Sequence, residues 1–248
     1  MMPSAVVLAG SRGGSDPVAA YAGVADKALI ELGGATMLAR VLTALEEAGV
    51  TRVAVAANAP AVTAEAERHG AVPLAAAAGP SASTDHALSV IGAPLLVTTG
   101  DHALLRPEWV RDFVAHVPSG ADVAVLLARR EAIEAAAPGS RRTYLRFADG
   151  HWSGCNLFLL ATPDAQAAVR LWQSVERDRK RPWRIVRRLG PGLLLRYLLG
   201  RLSLADAVAA LGQSAGIKAA VVECRDGFAA VDVDKPSDLD FVRRHLSV

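Results

Sequence analysis

A glycine-rich, basic loop directly after an apolar run is the first feature of the sequence that could support chemistry. The run covers residues 5–9 (AVVLA), the loop covers residues 10–14 (GSRGG), and Lys27 follows downstream. A strand that ends in free backbone N–H groups and cations is suited to binding anionic phosphate. The loop is therefore expected to hold a nucleoside triphosphate, whose negative charge Arg12 and Lys27 would neutralise.

Other glycine-rich loops that bind phosphate differ from this one. A P-loop needs G-x-x-x-x-G-K-[ST], which the sequence lacks. A dinucleotide-binding turn needs G-x-G-x-x-G and an acidic residue after the second strand, where this chain has Asn58. An ordinary βα turn rich in glycine remains the alternative to a triphosphate loop.

An acidic residue after a second apolar run is the first candidate metal ligand. Residues 94–99 (PLLVTT) lead into Gly100-Asp101, at the edge where open α/β sheets bind ligands. Mg²⁺ prefers one or two carboxylates together with substrate phosphates. Asp101 could instead cap a helix that begins near Arg106, but two leucines intervene, which favours the role of a metal ligand.

Apolar runs of strand length alternate with helical patterns along the chain, which predicts βαβ units. Strands are predicted at residues 5–9, 52–57, 72–74, 94–99, 122–128, 156–160, 221–223 and 229–231, with a hairpin at 144–150. Helices are predicted at 36–48, 61–69, 83–91 (capped by Ser81 or Ser83), 107–116 and 237–246. The fold class is therefore α/β, with a mostly parallel central sheet and helices on both faces. We predict a single domain over residues 1–248, in which residues 163–216 form a helical subdomain or insertion.

The composition limits the partners and the location of the protein. A net charge of +2 is too small to argue for nucleic-acid binding, and two cysteines cannot form a disulfide framework. No apolar run approaches the ~18–20 residues that span a bilayer. The N-terminal residues lack the features of a secretory signal, so a cytoplasmic protein is expected.

Several motifs together resemble the MobA-like nucleotidyltransferases, which share the GT-A type α/β fold. Residues 8–14 (LAGSRGG), 27–29 (KAL) and 33–38 (GGATML) are similar to the family's glycine loop, its K-x-L motif and the following helix start. Ser11 stands where the family has a second glycine, and the path to Lys27 is longer. Near the C-terminus, residues 231–239 (VDVDKPSDL) are similar to the family's V-D-T-P-E-D-L.

The resemblance implies a Mg²⁺-dependent transfer of a nucleoside monophosphate from an NTP, with CTP as the donor and pyrophosphate as the leaving group. The acceptor would be a small phosphorylated sugar, polyol or cofactor precursor. Asp101 and Asp234 would hold Mg²⁺, with Asp232 as a further ligand on the same face of a strand. Asp238 fits better as an early-helix acid that complements the helix dipole.

The resemblance also implies which residues act on the two substrates. Arg12, Lys27 and Asp101 would be the catalytic residues. Nucleotide contacts are expected from the ends of the first strands, the glycine loop and a G-x-x-x-S turn: Leu8, Ala9, Gly10, Ser11, Arg12, Lys27, Asn58, Gly79, Ser83 and Asp101. Acceptor contacts are expected from Arg142 and Asn156, whereas the neighbouring Cys155 is expected to be packed.

Other functions stay open. A non-catalytic nucleotide-binding or membrane-associated regulatory module would fit the altered glycine loop. A GT-A glycosyltransferase would usually carry D-x-D, where this chain has Asp101-His102-Ala103. Residues 180–200 are basic and apolar, so they could contact an anionic membrane surface or form an amphipathic helical subdomain over the sheet. The sequence leaves open whether the protein is a monomer or a homodimer.

Overall fold

The computed structural model describes residues 2–10, 16–140, 142–178 and 190–247. The strands are β1 (Ser4–Leu8), β2 (Glu31–Leu32), β3 (Ala35–Thr36), β4 (Val53–Ala56), β5 (Val72–Leu74), β6 (Leu95–Thr99), β7 (Val123–Arg129), β8 (Leu145–Phe147), β9 (Gly150–Leu160) and β10 (Ala219–Cys224). The helices are α1 (Pro17–Ala22), α2 (Met37–Glu47), α3 (Pro60–Arg68), α4 (Pro80–Ile91), α5 (Pro107–His116), α6 (Arg130–Ala136), α7 (Gln166–Asp178), α8 (Gly190–Leu198), α9 (Leu204–Ser214) and α10 (Pro236–Leu246). The alternation of strands and helices follows the sequence prediction.

The central sheet is mostly parallel, as the sequence predicts. Its order is β5-β4-β1-β6-β9-β7-β10, and β8 pairs with the start of β9. β4, β1 and β6 run parallel, with Val6 opposite Ala54 on one side and Val97 on the other. β9 is antiparallel to both of its neighbours, β6 and β7. The carboxyl ends of β1, β4 and β6 therefore meet at one edge of the sheet.

Helices cover both faces of the sheet because β1 is apolar on both faces. Ala5 and Val7 belong to a core that includes residues of α2, α3 and α5. Val6 points into a second core, which includes residues of α4 and α7. Alternate residues of a strand point to opposite faces, so one short apolar run serves both layers. This arrangement confirms the predicted fold class.

Proline and small polar residues set the beginnings of several helices. Thr36 caps α2, because its hydroxyl accepts a hydrogen bond from the Ala39 amide at 3.0 Å. Proline occupies the first turn of α3, α4, α5 and α10, where its missing N–H costs no helical hydrogen bond. α5 begins at Pro107, as predicted.

Two sequence predictions about local structure are wrong. Residues 229–231 do not form a strand: Gly227–Ala230 is a 3₁₀ turn, begun by Asp226, whose carboxylate accepts from the Phe228 amide. A Cβ on Gly227 would lie 2.1 Å from the carbonyl oxygen of Ala132, so this turn packs directly on the backbone of α6. Residues 229–231 are apolar because their side chains are buried, although they pair with none of the described strands. Neither Ser81 nor Ser83 caps α4, which begins at Pro80 with Gly79 before it.

The predicted helical region at residues 163–216 contains α7, α8 and α9 in its described part. α7 packs against α4, and α9 packs against β10. α8 buries no side chain, and large apolar residues in its last turns and directly after it are exposed, namely Leu195, Tyr197, Leu198 and Leu199. The basic residues predicted to break the helical pattern extend into 179–189, outside the described residues. Among the helices that are described, none is long and apolar enough to cross a membrane.

Candidate active site

A cavity of about 480 Å³ opens at the sheet edge where β1, β4 and β6 end. Its wall includes residues that end or follow these strands and residues of two neighbouring loops: Leu8, Ala9, Gly10, Ala56, residues 25–28, residues 76–80 and residues 99–101. Sheet edges at the carboxyl ends of parallel strands are the usual ligand sites of open α/β folds. The volume lies in the range of small-molecule and cofactor sites.

Close backbone approaches shape the floor of the cavity. A Cβ on Gly10 would lie 2.9 Å from the Cβ of Ala76, and a Cβ on Gly100 would lie 3.1 Å from the Cβ of Ala9. Real Cβ atoms essentially never come as close as the first of these distances, so a side chain at residue 10 would push the 75–78 loop away. Glycine at these positions lets the loops meet around the cavity.

Lys27 joins the two candidate metal ligands at the rim of the cavity. Its Nζ donates to Asp101 Oδ2 at 2.6 Å and to the Val233 carbonyl at 3.1 Å. Asp234 Oδ1 lies 3.7 Å from the same nitrogen. The Val233 amide donates to the Asp101 carbonyl at 3.1 Å, which fixes the two segments side by side. Carboxylates from distant parts of the chain thus share one ammonium group.

The electrostatics keep Lys27 positively charged. Burial of the ammonium lowers its pKa, but the carboxylates of Asp101, Asp234 and Asp16 raise it by more, so the pKa lies above its ordinary value of 10.5. Asp101 is mostly buried, with a side chain 17% exposed, whereas the Asp234 side chain is 61% exposed. A lysine that stays charged at neutral pH can neutralise phosphate oxygens in the cavity.

The carboxylates fit a divalent cation that shares its coordination with phosphate. Asp101 Oδ1 is buried and has no hydrogen-bond partner among the described residues, which leaves one oxygen free for a ligand. Within the same residues, no group of three or more His, Cys, Asp and Glu could hold a metal ion by itself. Hard cations such as Mg²⁺ commonly take one or two carboxylates and complete their shell with water and substrate phosphates. Asp101 and Asp234 could therefore supply the protein's share of such a site.

The far wall of the cavity is braced by Asn58 and Ser83. The Asn58 amide donates to the Ala76 carbonyl and accepts from the Ala76 amide, both at 2.9 Å. Ser83 Oγ accepts from the Ala77 amide at 2.9 Å. Asn58 does not line the cavity and instead holds the 75–78 loop in place. Ser83 both braces the loop and lines the cavity.

A second polar cluster lies beside the cavity and contains Arg142, Asn156 and Asp232. Asp232 Oδ1 pairs with Arg142 Nη1, and Asp232 Oδ2 accepts from Asn156 Nδ2 at 2.7 Å. Burial raises the pKa of Asp232 to about 6, and the carboxylates of Asp234 and Asp101 act in the same direction. Asn156 has a φ of 49°, at a register shift where two neighbouring strands pair unevenly.

This cluster corrects the predicted geometry of the C-terminal acids. Residues 231–234 are not a strand, so Asp232 and Asp234 do not share a strand face. Asp234 faces Lys27 and lines the cavity, whereas both oxygens of Asp232 already have partners in the second cluster. Asp238 lies in the first turn of α10, as predicted, where its carboxylate accepts from the Asp234 and Lys235 amides.

Comparison with known proteins places the chain in a family. The MobA-like NTP transferase domain matches residues 5–189, which include β1, Lys27 and Asp101. This chain belongs to the MobA-like NTP transferase family. A solved structure described as a hypothetical transferase from Thermus thermophilus is 35% identical, with 96% of this chain and 100% of that chain covered and a TM-score of 0.82. The family and its nucleotidyltransferase fold are thus established together.

Solved enzymes with lower identity share the fold. CMP:2-keto-3-deoxy-manno-octonic acid synthetase in complex with CTP is 18% identical, with 98% of each chain covered and a TM-score of 0.62. The 2-C-methyl-D-erythritol 4-phosphate cytidylyltransferase of Thermus thermophilus is 18% identical, with 100% of each chain covered and a TM-score of 0.54. No curated protein sequence matches the chain.

The structure brings most of the expected MobA-like site residues to one cavity. Those that line it are Leu8, Ala9, Gly10, Lys27, Gly79, Ser83, Asp101 and Asp234. Ser11 and Arg12 lie outside the described residues. Arg142, Asn156 and Asp232 form the separate second cluster.

Sequence reasoning missed one part of the cavity wall. Asp16, Pro17 and Asp26 also line it. Asp16 caps α1, because its Oδ1 accepts from the Val18 and Ala19 amides at 2.8 and 3.0 Å. An acidic residue before proline is a recognised helix start, so the pair Asp16-Pro17 was a usable signal for α1.

Proposed function

We propose that the protein is a divalent-metal-dependent cytidylyltransferase that joins the CMP of CTP to a small phosphorylated acceptor. One observation carries the proposal: Asp101 and Asp234 meet at Lys27 on the rim of the cavity, and Asp101 Oδ1 is buried without a partner among the described residues. Two carboxylates beside a permanent cation suit a triphosphate and its metal ion.

In the proposed reaction, a phosphate oxygen of the acceptor attacks the α-phosphorus of CTP in line. The new P–O bond forms as the bond to the β-phosphate oxygen breaks, and pyrophosphate leaves with the electron pair. The attacking phosphate is already an anion, so no residue has to remove a proton. Catalysis then depends on positioning and charge neutralisation.

The residues of the cavity would divide the work as follows. Gly10 lets the 75–78 loop approach the end of β1 and so shapes the cavity wall, and Lys27 would neutralise the oxygens of the leaving pyrophosphate. Asp101 and Asp234 would hold a magnesium ion. When bound, that ion would supply positive charge against the phosphate oxygens. Arg12 is proposed as a second cation for the triphosphate, on the strength of the sequence.

The nucleotide base would lie against the loop that precedes α4. Gly79 and Ser83 line that end of the cavity, and Asn58 holds the loop in place. The choice of CTP rests on the family resemblance and is supported by the fold shared with a synthetase solved with CTP. A phosphorylated sugar or polyol acceptor is proposed on the same grounds.

Other sequence predictions are not part of this proposal. Arg142 and Asn156, the predicted acceptor contacts, lie together beside the cavity, where both already hold Asp232. Peripheral membrane contact through residues 180–200, a homodimer and a cytoplasmic location are likewise untested predictions. The exposed apolar residues of α8 are compatible with the first two.

A pyrophosphate-release screen tests the proposed function. The four NTPs are each offered with phosphorylated sugars and polyols in the presence of Mg²⁺, and CTP with one acceptor class should give turnover. Asp101→Asn should abolish release, whereas Asp164→Asn, which changes an exposed acid in a 3₁₀ turn, should not. Full activity of Asp101→Asn, or CTP binding without turnover of any acceptor, would contradict the proposal.

A further inference from the structure

We propose that Arg142 is a positioning residue whose guanidinium clasps Asp232 and Asp238 and thereby holds Asp234 at the rim of the cavity. The proposal concerns the segment from Asp232 to Asp238, and it rests on the proposed function for the role of Asp234. It gives Arg142 a role different from the acceptor contact that the sequence suggested.

The guanidinium of Arg142 bridges both ends of this segment. Its side chain is only 7% exposed. Nη1 pairs with the Asp232 carboxylate, and Nη2 donates to the Asp232 carbonyl at 3.0 Å and to Asp238 Oδ1 at 3.3 Å. Arginine suits this task because its planar fork presents several donors in fixed directions. The guanidinium and its two carboxylate partners are the Arg142 clasp.

Asp238 connects Arg142 to the backbone of Asp234. Its second oxygen, Oδ2, accepts from the Asp234 amide at 3.1 Å and from the Lys235 amide at 3.0 Å. The Asp234 backbone is therefore fixed by a carboxylate that Arg142 holds through its other oxygen. The Asp234 side chain is 61% exposed, and it approaches the Lys27 ammonium only to 3.7 Å. Its place at the rim thus depends on its backbone.

Asn156 fixes the other end of the segment. Its Nδ2 donates to Asp232 Oδ2 at 2.7 Å, so Asp232 is held by the amide and by the guanidinium together. Asn156 adopts a φ of 49°, a left-handed conformation that asparagine tolerates better than most residues. This backbone geometry at the register shift of β9 aims the amide at the clasp.

The same contacts argue against direct binding of an acceptor by Arg142. Two carboxylates already surround the guanidinium, and its one donor without a partner among the described residues, Nε, is buried away from solvent. A phosphate that approached it would meet the like charges of Asp232 and Asp238. An arginine that binds substrate phosphate is expected to present free donors to the cavity, and Arg142 does not line it.

The test measures two quantities separately: the hydrogen-exchange rates of the segment's amides and the affinity of the protein for a metal ion. In hydrogen exchange, Arg142→Gln should speed the amides of residues 232–238 by about tenfold or more, since the lost bonds join charged groups. In the presence of CTP, Mn²⁺ affinity, read from the free-ion electron paramagnetic resonance signal, should fall about 10–100-fold. CTP affinity without metal should stay close to the original, because Gly10, Gly79 and Ser83 are untouched. Arg146→Gln, at an exposed arginine in the nearby strand β8, is the matched control.

Two further variants keep the proposal testable if Arg142→Gln does not fold. Arg142→Lys keeps the charge without the fork and should be intermediate in both measurements. Arg142→Ala should regain slow exchange and Mn²⁺ affinity with millimolar guanidinium but not with methylammonium. Unchanged exchange and Mn²⁺ affinity in Arg142→Lys would overturn the proposal, as would a rise in acceptor KM alone. If the original protein binds no Mn²⁺ with CTP, the proposed function fails, whereas the exchange rates still decide the clasp.

Discussion

The Lys27 ammonium donates to the Asp101 carboxylate at 2.6 Å across 74 positions of the chain. The same nitrogen reaches the Val233 carbonyl, 206 positions away, and so ties the first and last parts of the site together. Because one cation serves both acids, its removal should affect the whole rim of the cavity.

Replacement of Lys27 by methionine should lower the rate of pyrophosphate release by about 10²–10³-fold, since a preorganised charge on the leaving group is lost. Asp101 and Asp234 would also face each other without a counter-charge. Steady-state kinetics with CTP and Mg²⁺ measure the effect, and Lys218→Met, at an exposed lysine, is the control. A rate within about threefold of the original, well short of the loss expected for a preorganised charge, would show that Lys27 has no part in the transfer.

Replacement of Gly10 by alanine should weaken nucleotide binding, because the new Cβ would lie 2.9 Å from the Cβ of Ala76 and displace the 75–78 loop. Overpacking of this kind costs about 1–3 kcal/mol. Calorimetric titration with CTP measures the loss, and the second change Ala76→Gly should restore much of it. Gly154→Ala, where a Cβ meets nothing within 4 Å, is the control. A double variant no better than Gly10→Ala would contradict the steric explanation.

Replacement of Gly227 by alanine should destabilise the fold by about 3 kcal/mol or more, a size seen when a buried position has no room for added atoms. The Cβ would lie 2.1 Å from the Ala132 carbonyl oxygen, and backbone atoms cannot rotate away as side chains do. Urea unfolding followed by circular dichroism gives the free energy of unfolding. Gly192→Ala, where a Cβ has open space, should change it little.

The two cysteines should react slowly with thiol reagents in the native protein. Burial raises the pKa of the Cys155 thiol well above its ordinary value of 9.0, and burial also raises the pKa of Cys224. Less thiolate then exists at any given pH, and the thiolate is the reactive form. Native stability should also fall as the pH rises above about 9, because the unfolded thiols ionise first. Titration with a disulfide reagent at mildly alkaline pH should be fast only after denaturation; rapid native labelling of Cys155 would be the contrary result.

Local patterns predicted most of the elements because their physical causes are local. The apolar run before Gly10 predicted a strand buried on both faces, and Pro107 marked the first turn of α5. The prediction failed at residues 229–231, where apolar residues are buried by a 3₁₀ turn on α6 and not by strand pairing. An apolar segment predicts that its side chains are buried. Whether they are buried as a strand, a helix or a turn depends on tertiary packing.

The sequence by itself determined the fold class, the family and the position of Asp101 at the carboxyl end of a strand. Strand patterns and short motifs depend only on residues that are close together in the sequence. The tertiary structure alone decided that Asp101 and Asp234 share Lys27, that Asn58 holds a loop of the cavity wall in place, and that Arg142 holds Asp232 and Asp238. Contacts between residues so far apart depend on the order of the strands and on the turn that aims each side chain. Local sequence patterns do not carry that information.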